Sequence, residues 1–461
     1  MKKGFILISI LFLLNLTFVG QNSIAQNTLG QSVVENQFLP NEMDFSTAIK
    51  YSLEHNNNIR AMRKGLSASE RDIGIARSTM LPKLVFNENF TATNNPTDAL
   101  SYRLNQARAT ANDLSVATLN HPASVTNFLT SGVLEQRILD KKSMVGIKIA
   151  KKEYSANGYF YLRKQEDLVN QVAQAYLNVS TNQDYIKIAE EAIVEAKEHL
   201  EIAQARLKTK TGFPSDVLRA KTAVEEREEK LISAQRNLKV SKRSLGLLLG
   251  LESPVDVTNS IPKIELQDIN YYESYSVYRN DIKATELRVE NTKNGIKSAQ
   301  AEWYPTFTAF GTYGFYNNNF PFGGQGNNYT TGAFFRWEIL DGNKRKYEIL
   351  KAKDKEAEAK EYLEGLRKEV NFKVYEVYSN IEEHQKRLEL AKLVLKQSEE
   401  DTLLVQKRWK NSELPFVSLI DAQDNLDNAR ASVVKNKFDL VEDLINLAYE
   451  SGIIYQELAL K

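Results

Sequence analysis

Apolar residues recur every three or four positions over two very long stretches of the chain, and this spacing predicts two long α-helices. Between about Asp140 and Lys210, and again between Asn343 and Ser412, there is no proline and very little glycine. At about 1.5 Å per residue, each helix would be on the order of 100 Å long. Small residues alternate with larger apolar ones along each seam, which is typical of closely packed coiled-coil helices. The seam positions are Ile186, Ala189, Ile193, Ala196, Leu200, Ala203 and Leu207, and then Leu388, Ala391, Leu395, Ser398, Thr402, Val405 and Trp409.

A turn signal follows each long helix and predicts that the chain reverses there. Residues 211–215 read Thr-Gly-Phe-Pro-Ser, with a glycine typical of a helix end and a proline typical of a helix start. Residues 411–415 read Asn-Ser-Glu-Leu-Pro. Shorter helices are expected over about 58–80, 215–249, 281–303 and 416–449. The helices 215–249 and 416–449 are return helices, because each follows a turn. The combined length of one return helix and one of the shortest helices, 58–80 or 281–303, nearly equals that of a long helix. We therefore expect such pairs to stack end to end beside each long helix.

Four segments alternate between apolar and polar residues, and this period of two predicts β-strands. One face of the strands would carry the aromatic residues Phe307, Tyr313, Phe315, Phe335 and Trp337. The opposite face would carry the charged residues Glu135, Arg137, Arg336 and Glu338. Strands of about 12 residues are long enough to cross a bilayer at a tilt, and an apolar outer face with a polar interior is typical of a membrane barrel. We therefore predict that the first set faces lipid and that the second lines a barrel lumen.

Glu88 does not fit this alternation, because it falls on the predicted lipid-facing side, where its counterpart in a later strand is Gly311. Either Glu88 lies near a membrane interface, or the strand shifts its register there. An interfacial position would keep the carboxylate hydrated, whereas a register shift would turn it toward the polar face.

Motifs recur at nearly constant intervals along the chain, which predicts an internal duplication. Leu81-Pro82 recurs 223 residues later as Tyr304-Pro305, Ile138-Leu139-Asp140 recurs 201 residues later, and Arg206 recurs 202 residues later as Arg408. We therefore divide the chain after a leader, residues 1–25, into repeat units 26–255 and 256–461, each with a helix, two strands and a long hairpin. The decrease from 223 to 201 places about 22 additional residues in the loop 94–129, relative to the loop 317–329.

Four strands are too few to close a membrane barrel, since the smallest barrels have about eight. An open sheet edge in lipid would leave backbone N–H and C=O groups without hydrogen bonds. The chain is therefore expected to assemble with other copies, unless its strands lie outside the membrane.

The N-terminus is typical of a secretory signal peptide. Lys2 and Lys3 precede the largely apolar stretch 5–19, and a small-residue cleavage motif ends at Ala25, before Gln26. We expect cleavage between Ala25 and Gln26; an uncleaved anchor is the alternative, although the apolar stretch is short for one. The chain has no cysteine, so we expect neither a disulfide nor a lipid-bearing cysteine.

Charge and motifs exclude several classes of function. The formal net charge is +1, whereas nucleic-acid binding needs a clustered basic surface. The four histidines, at positions 55, 121, 199 and 384, have no metal-ligand spacing. The chain has no G-x-S-x-G motif and no phosphate-binding loop with its lysine. We therefore expect that the protein is not an enzyme and that it has no cofactor, no metal site and no nucleic-acid partner.

Residues 44–452 resemble the TolC-type outer-membrane efflux proteins. The resemblance rests on the order of elements, the x-Pro strand starts, the Ile-Leu-Asp strand ends, the Leu-Gly hairpin end and the run 419–426, Leu-Ile-Asp-Ala-Gln-Asp-Asn-Leu. It implies an α+β membrane protein that forms a homotrimer in the lipid of the outer membrane. Four strands from each copy would form a shared 12-stranded barrel, and the long antiparallel coiled-coil hairpins would form a periplasmic tunnel.

The resemblance also implies partners and a gate at the hairpin tips. A periplasmic adaptor protein and an inner-membrane pump of the RND, ABC or MFS type would dock there, with contacts from Gly212, Phe213, Pro214, Leu414 and Pro415. Asp216, Ser418 and Asp421 match the positions at which the family narrows its tunnel. Leu414 stands where some members have a locking arginine, so that lock is not expected here. Alternatively, Asp216 stabilises a helix N-terminus and Asp421 is a solvated surface residue.

The expected function is the outer-membrane channel of a tripartite efflux or type I secretion system, which acts as a passive export duct. The alternative is a periplasmic coiled-coil adaptor or a structural interaction protein. Adaptors have one hairpin flanked by small β domains, whereas this chain has two hairpins and barrel-like strands. Drugs, metal ions and polypeptides would share the same duct, and the sequence does not choose among them.

Overall fold

The computed structural model describes residues 42–258, 262–411 and 413–460. The predicted signal peptide and its cleavage site at Ala25 and Gln26 lie outside the described residues. The helices are α1 (Phe45–His55), α2 (Asn57–Ser78), α3 (Pro96–Asn105), α4 (Val116–Asn120), α5 (Lys141–Lys208), α6 (Pro214–Leu249), α7 (Ile269–Ser276), α8 (Asn280–Ala301), α9 (Lys344–Lys410), α10 (Phe416–Glu450) and α11 (Ile454–Glu457). The strands are β1 (Glu42–Met43), β2 (Lys83–Thr93), β3 (Val125–Leu139), β4 (Asp256–Val257), β5 (Thr306–Asn317) and β6 (Gly326–Arg336).

The two long helices have the predicted length, with 68 residues in α5 and 67 in α9. Each begins shortly after the aspartate of an Ile-Leu-Asp motif. The Asp140 carboxylate accepts a hydrogen bond from the Ser143 N–H at 3.1 Å, and the Asp341 carboxylate accepts one from the Arg345 N–H at 2.8 Å. These aspartates satisfy N–H groups that the first turn of a helix leaves without a partner.

The first short helix, α2, begins where the return helix α6 ends. Asn56, the N-cap of α2, donates a side-chain hydrogen bond to the Leu248 carbonyl at 2.8 Å. Gly250 ends α6 in the left-handed conformation, with φ of 80°. A Cβ at Gly250 would lie 2.7 Å from the His55 carbonyl oxygen, so only glycine allows the two helices to meet this closely.

A second junction of the same kind joins α10 to α8. Arg279 precedes α8 and donates a hydrogen bond to the Glu450 carbonyl at 2.9 Å, while its guanidinium pairs with Asp281. Gly452 follows α10 with φ of 76°, and a Cβ there would lie 2.9 Å from Arg279 Cγ. The expected end-to-end arrangement of short and return helices is therefore present at both junctions.

Arg163 on α5 connects the long helix to the second junction. Its guanidinium carbon lies 3.8 Å from the centre of the Tyr449 ring, and its Nη1 donates to the Tyr449 carbonyl at 2.9 Å. The same nitrogen donates to Glu166 at 2.9 Å, and Asn280 donates to the other Glu166 oxygen at 2.6 Å. Burial raises the pKa of Glu166 despite these partners.

The larger sheet is antiparallel, with strand order β2-β3-β5-β6, so β2 and β6 are its edges. Lys83 pairs with Glu135 at one end of β2, and Thr93 pairs with Val125 at the other. The pairing of β3 with β5 shifts register between Arg137 and Leu139, next to the start of α5. The short strands β1 and β4 form a separate parallel pair.

Both loops between strands are shorter than the sequence predicts. The connection between β2 and β3 covers residues 94–124 rather than 94–129, because residues 125–129 pair with the last five residues of β2. The connection between β5 and β6 covers residues 318–325 rather than 317–329, because Gly326 to Tyr329 pair with β5 in spite of their glycine and asparagine content. Residues 94–124 also contain α3, α4 and a short 3-10 helix at Ala111–Leu114.

Buried apolar side chains form separate clusters along the helices. One lies at the hairpin tips, one lies between α8 and α9 around Ile282 and Val370, and one surrounds Tyr272 and Ile381. Within the part of the chain that the structure describes, no helix combines the length and apolar character needed to cross a membrane.

Candidate functional site

The first hairpin tip lies between α5 and α6 and contains the predicted contact residues Gly212, Phe213 and Pro214. The N–H groups of Thr211 and Gly212 both donate to the Arg206 carbonyl, at 2.9 and 3.0 Å, and so close the end of α5. Phe213 is the N-cap of α6 and Pro214 is its first residue, where the missing N–H of proline costs nothing. Phe213 is 70% exposed. An exposed aromatic side chain on a turn of fixed geometry is suited to contact another protein.

The second tip lies between α9 and α10 and contains Leu414 and Pro415. The Glu413 N–H donates to the Arg408 carbonyl at 2.9 Å, and Pro415 is the N-cap residue of α10. Leu414 is half-buried and Pro415 is exposed. The proline therefore stands one position earlier relative to its helix than Pro214 does at the first tip.

A small shared core holds the two tips together. Ala203 and Ala220 of the first hairpin pack with Trp409, Phe416 and Leu419 of the second. The sequence seam identified Ala203 and Trp409 but assigned each to its own hairpin. The structure shows instead that the buried ring of Trp409 belongs to an apolar cluster contributed by both hairpins.

Arg206 reinforces this core from the first hairpin. Its Nη1 donates to the Trp409 carbonyl at 2.6 Å, and its guanidinium carbon lies 5.1 Å from the centre of the Trp409 ring. A cation over an indole face is favourable by about 0.5–2 kcal/mol, depending on desolvation. Sequence reasoning used Arg206 only as a repeat marker, because neither its partner nor its contact is encoded in nearby residues.

The three predicted gate residues lie in the first two turns of the return helices. Asp216 lies in the first turn of α6 and is half-buried, and Ser418 is half-buried in α10. Asp421, one turn further along α10, is exposed. The place of Asp216 fits favourable interaction with a helix N-terminus, and the exposure of Asp421 fits a solvated residue or a residue that faces a channel.

A charged cluster missed by sequence reasoning lies further along the same helices. The Arg227 side chain on α6 is 96% buried. Its Nη2 lies 2.9 Å from Asp424 Oδ1 and 3.0 Å from Asp427 Oδ2 on α10. This Asp427 oxygen forms an ion pair with Arg227 but no hydrogen bond among the described residues. Burial raises the pKa of Asp427, although Arg227 acts in the opposite direction. Nothing in the local sequence identifies this pair, since its members are 200 positions apart.

A second ionic contact joins α5 to α10 beside this cluster. Arg430 donates to both oxygens of Glu195, at 3.1 and 3.0 Å, and Gln423 also donates to Glu195. His199, one turn further along α5, is buried with its Nδ1 unpaired among the described residues. Burial lowers the pKa of His199.

The strand register places four of the five predicted aromatic residues on one face of the sheet. Residues directly opposite each other in neighbouring strands share a face, so Phe307 and Phe335 lie together, and Tyr313 and Phe315 lie on the same side. The Tyr313 and Phe315 rings are 5.0 Å apart. We call this side the aromatic face.

Three of the four predicted charged residues fall on the opposite side, the polar face. Glu135 and Arg137 of β3 lie opposite Phe310 and Thr308 of β5, and Arg336 of β6 lies opposite Thr306. This face also carries aromatic residues that the sequence interpretation missed. Phe310 and Phe334 stack there with their ring centres 4.6 Å apart, and Gly332 leaves room for the Phe310 ring.

The prediction that Trp337 and Glu338 lie within a strand is wrong. β6 ends at Arg336, whose partner Thr306 is the first residue of β5. Pro305 comes before Thr306 and has no N–H to continue the ladder. The Trp337 indole instead donates to the Trp303 carbonyl at 3.1 Å, at the end of the sheet next to the helices.

Glu88 lies on the aromatic face without any shift of register. It pairs with Thr130 in an unbroken ladder, and the Thr130 hydroxyl donates to Glu88 Oε2. The other carboxylate oxygen is buried and has no hydrogen-bond partner among the described residues. Of the two explanations that the sequence left open, the register shift is therefore excluded.

Comparisons with known proteins agree with this architecture. The family described as "Outer membrane efflux protein" matches residues 48–251 and 273–452. The toxin and drug export protein A of Aggregatibacter actinomycetemcomitans is 26% identical over 150 residues, which are 32% of this chain and 33% of that protein. The matched region therefore spans about a third of the length of this relative.

Solved structures show the same fold at low sequence identity. The chain aligns with CusC at a TM-score of 0.74 and 14% identity, covering 90% of this chain and 91% of that one. The outer membrane channel CmeC of Campylobacter jejuni gives a TM-score of 0.72 and 14% identity, with coverages of 89% and 86%. The outer membrane protein VceC of Vibrio cholerae gives 0.70 and 17%, with coverages of 88% and 96%.

Proposed function

Because the chain belongs to the outer membrane efflux protein family, we propose that it is the outer-membrane channel of a tripartite efflux or type I secretion system. In this role it acts as a passive duct, and the energy comes from an inner-membrane pump. One observation carries the proposal: a four-stranded sheet with an aromatic face and two free edges is joined to two hairpins, each built on a helix of more than 65 residues.

The free edges support assembly of three copies. Among the described residues, β2 and β6 each have a neighbour on one side only, and four strands fall short of the roughly eight that the smallest membrane barrels contain. Pairing β2 of one copy with β6 of the next would satisfy both edges. Three copies would then give a barrel of 12 strands, with the aromatic face toward lipid and Glu135, Arg137 and Arg336 toward the lumen.

Exposed apolar side chains on the long helices support packing between copies in the periplasm. Several on α9 are at least half exposed: Leu390, Leu393, Val394, Leu403 and Leu404. A set of large apolar residues along one helix is typical of a surface that another subunit covers. At about 1.5 Å per residue, α5 and α9 would each extend on the order of 100 Å away from the membrane.

We also propose that the chain consists of two repeat units, 26–255 and 256–461, after a cleaved signal peptide, and that it carries no lipid anchor. The matching junctions at Gly250 and Gly452, which lie 202 residues apart, support the duplication. The absence of cysteine excludes acylation at a cysteine.

The tips are the proposed site of partner contact and gating. Phe213, Pro214, Leu414 and Pro415 would contact a periplasmic adaptor, and the exposed Phe213 ring supports this assignment. Asp216, Ser418 and Asp421 would narrow the duct near the tips once three copies surround one axis. Carboxylates at such a constriction would favour cations over anions.

Purification from outer membranes after mild cross-linking tests this function. The expected result is recovery of a periplasmic adaptor and an inner-membrane pump with this protein, and the class of pump would indicate the class of substrate. Recovery as a soluble periplasmic monomer would contradict the channel and favour a coiled-coil adaptor or structural protein.

A further inference from the structure

The segment 94–124 lies across the polar face at the end of the sheet farthest from the helices. From this position we infer that it forms a fixed cap over the outer mouth of the duct, where it limits the size of the molecules that pass. The inference rests on the proposed function, because the polar face lines a lumen only if copies close a barrel. It adds a size limit that is independent of the gate at the helical tips.

Asn105, at the end of α3, connects the cap to β6, the edge strand farthest from β2. The Asn328 side chain donates to Asn105 Oδ1 at 3.3 Å. A Cβ at Gly326 would lie 1.9 Å from the Asn105 carbonyl oxygen, so the cap backbone rests directly on the strand. Gly326 and Asn328 both belong to the polar face, because they lie opposite Tyr316 and Gly314. The cap therefore spans from β2 and β3 across β5 to β6, on the polar side.

Gln106 fixes the same part of the cap to β3. Its side chain is 1% exposed, and its Nε2 donates to the Thr126 carbonyl and to Asn127 Oδ1, both at 2.9 Å. Asn127 is also buried and lies on the polar face. A buried amide with two hydrogen bonds resists displacement, because a buried donor that loses its partners costs free energy.

The cap also has an internal structure of its own. Arg103 pairs with the buried Asp113, whose other oxygen accepts hydrogen bonds from the Thr110 N–H and hydroxyl, at 2.7 and 2.8 Å. Ala99, within α3, is buried. A segment with an internal ion pair and internal hydrogen bonds holds its shape more firmly than a loop of equal length without such contacts.

The turn 318–325 lies on the aromatic face of the sheet. Gly324 approaches the Phe315 ring, and the Phe322 ring stacks near Phe86 at 6.2 Å between centres. Phe86 and Phe315 belong to the aromatic face. The two connections therefore cover opposite faces, and the longer one, with its roughly 22 additional residues, lies on the face that would enclose the duct.

Cross-linking in the full-length protein tests the position of the cap. The chain has no cysteine, so introduced thiols are the only ones. Asn105→Cys with Asn328→Cys is expected to form a disulfide within one chain in outer-membrane preparations, as shown by a reducible change in gel mobility. Asn105→Cys with Tyr329→Cys is the matched control, because Tyr329 is the next residue but lies on the aromatic face. Equal cross-linking of both pairs, or of neither, would overturn the assigned position.

Labelling from outside intact cells tests the size limit. Thr312→Cys places a thiol on the polar face, deeper in the sheet than the cap. A small maleimide is expected to react with it, whereas a maleimide that carries a long polyethylene glycol chain is expected to react only when Gln106→Ala and Asn328→Ala release the cap. Equal labelling by both reagents with the cap intact would overturn the size limit and leave the duct standing. If neither reagent reaches Thr312→Cys in the released protein, the polar face is no lumen and the proposed function itself is wrong.

Discussion

Arg227 on α6 lies 3.0 Å from Asp427 on α10, and this buried ion pair connects the two hairpins near their tips. Asp424 accepts a hydrogen bond from the same guanidinium at 2.9 Å. The apolar core around Trp409 and the contact between Glu195 and Arg430 also join the two hairpins. We expect the buried Arg227 pair to contribute to how firmly the two tips are held together.

Arg227→Ala is expected to destabilise the hairpins by about 3 kcal/mol, because it leaves the Asp427 carboxylate buried without its partner. Proteolysis in increasing urea measures this loss as cleavage near residues 209–215 at a lower urea concentration. The double variant Arg227→Leu with Asp427→Leu should regain part of the loss, since two apolar residues replace two buried charges.

Lys197→Ala provides the control for this prediction. Lys197 on α5 pairs with Glu228, the residue next to Arg227 on α6, at 3.1 Å, but both side chains are about half exposed. An exposed ion pair contributes about 0–1 kcal/mol, so the variant should behave like the parent protein. Equal destabilisation by Lys197→Ala and Arg227→Ala would show that burial of the Arg227 pair is not what matters.

Trp409→Ala and Phe213→Ala should separate the stability of the tips from their binding of partners. Removal of the buried Trp409 ring is expected to cost about 3–5 kcal/mol and to increase protease cleavage at both tips. Phe213 is exposed, so its removal should leave proteolysis unchanged but reduce the amount of adaptor that co-purifies after cross-linking. Loss of stability without loss of adaptor in the Phe213 variant would contradict the contact assigned to this ring.

Acid should loosen the tips through His199. Burial lowers the pKa of His199 below its usual value of about 6.5, so the folded protein binds a proton less readily than the unfolded chain. Neutral His199 therefore makes its full contribution to the free energy of unfolding above about pH 6.5. That contribution is lost as the pH falls toward the lowered pKa.

The comparison of the parent protein with His199→Gln at about pH 7.5 and 5.5 isolates this effect. The parent should lose more thermal stability on acidification than the variant, because glutamine does not titrate. Acids such as Asp427, whose pKa is raised, act in the opposite direction but are present in both proteins. An equal loss in the two proteins would show that His199 has no part in the pH dependence.

Gly250→Ala should break the junction between α6 and α2. Gly250 has φ of 80°, and an added Cβ would lie 2.7 Å from the His55 carbonyl oxygen. The left-handed conformation alone costs an alanine about 1–2 kcal/mol, and the contact adds to this cost. Gly146→Ala is the matched control, because Gly146 lies within α5 with open space around it and should gain up to about 1 kcal/mol. Thermal unfolding midpoints that move in opposite directions would agree with both expectations.

The helices could be predicted closely because their signals are local and repeated. The seam from Ile186 to Leu207 and the turn residues Gly212 and Pro214 define α5 and α6 within a few residues. The alternation around Phe307 and Phe315 likewise fixes which residues share a face, because a strand has a period of two.

Other features depend on contacts that no local pattern records. Alternation continues past Arg336 to Ile339, but β6 ends because β5 offers no residue before Thr306 for it to pair with. The helices α3 and α4 have only 10 and 5 residues, too few for a periodic pattern to show, so the sequence predicts only a loop there. The Arg227 pair joins residues 200 positions apart, and only the packing of two hairpins brings them together.

An electron cryomicroscopy map of the full-length protein, extracted from outer membranes in mild detergent, tests the central claim most directly. The account predicts three chains around one axis, with β2 of each chain paired to β6 of the next in a continuous sheet and the aromatic face of that sheet toward the detergent. A single chain with β2 and β6 both unpaired, or a closed sheet with the polar face outward, would contradict it.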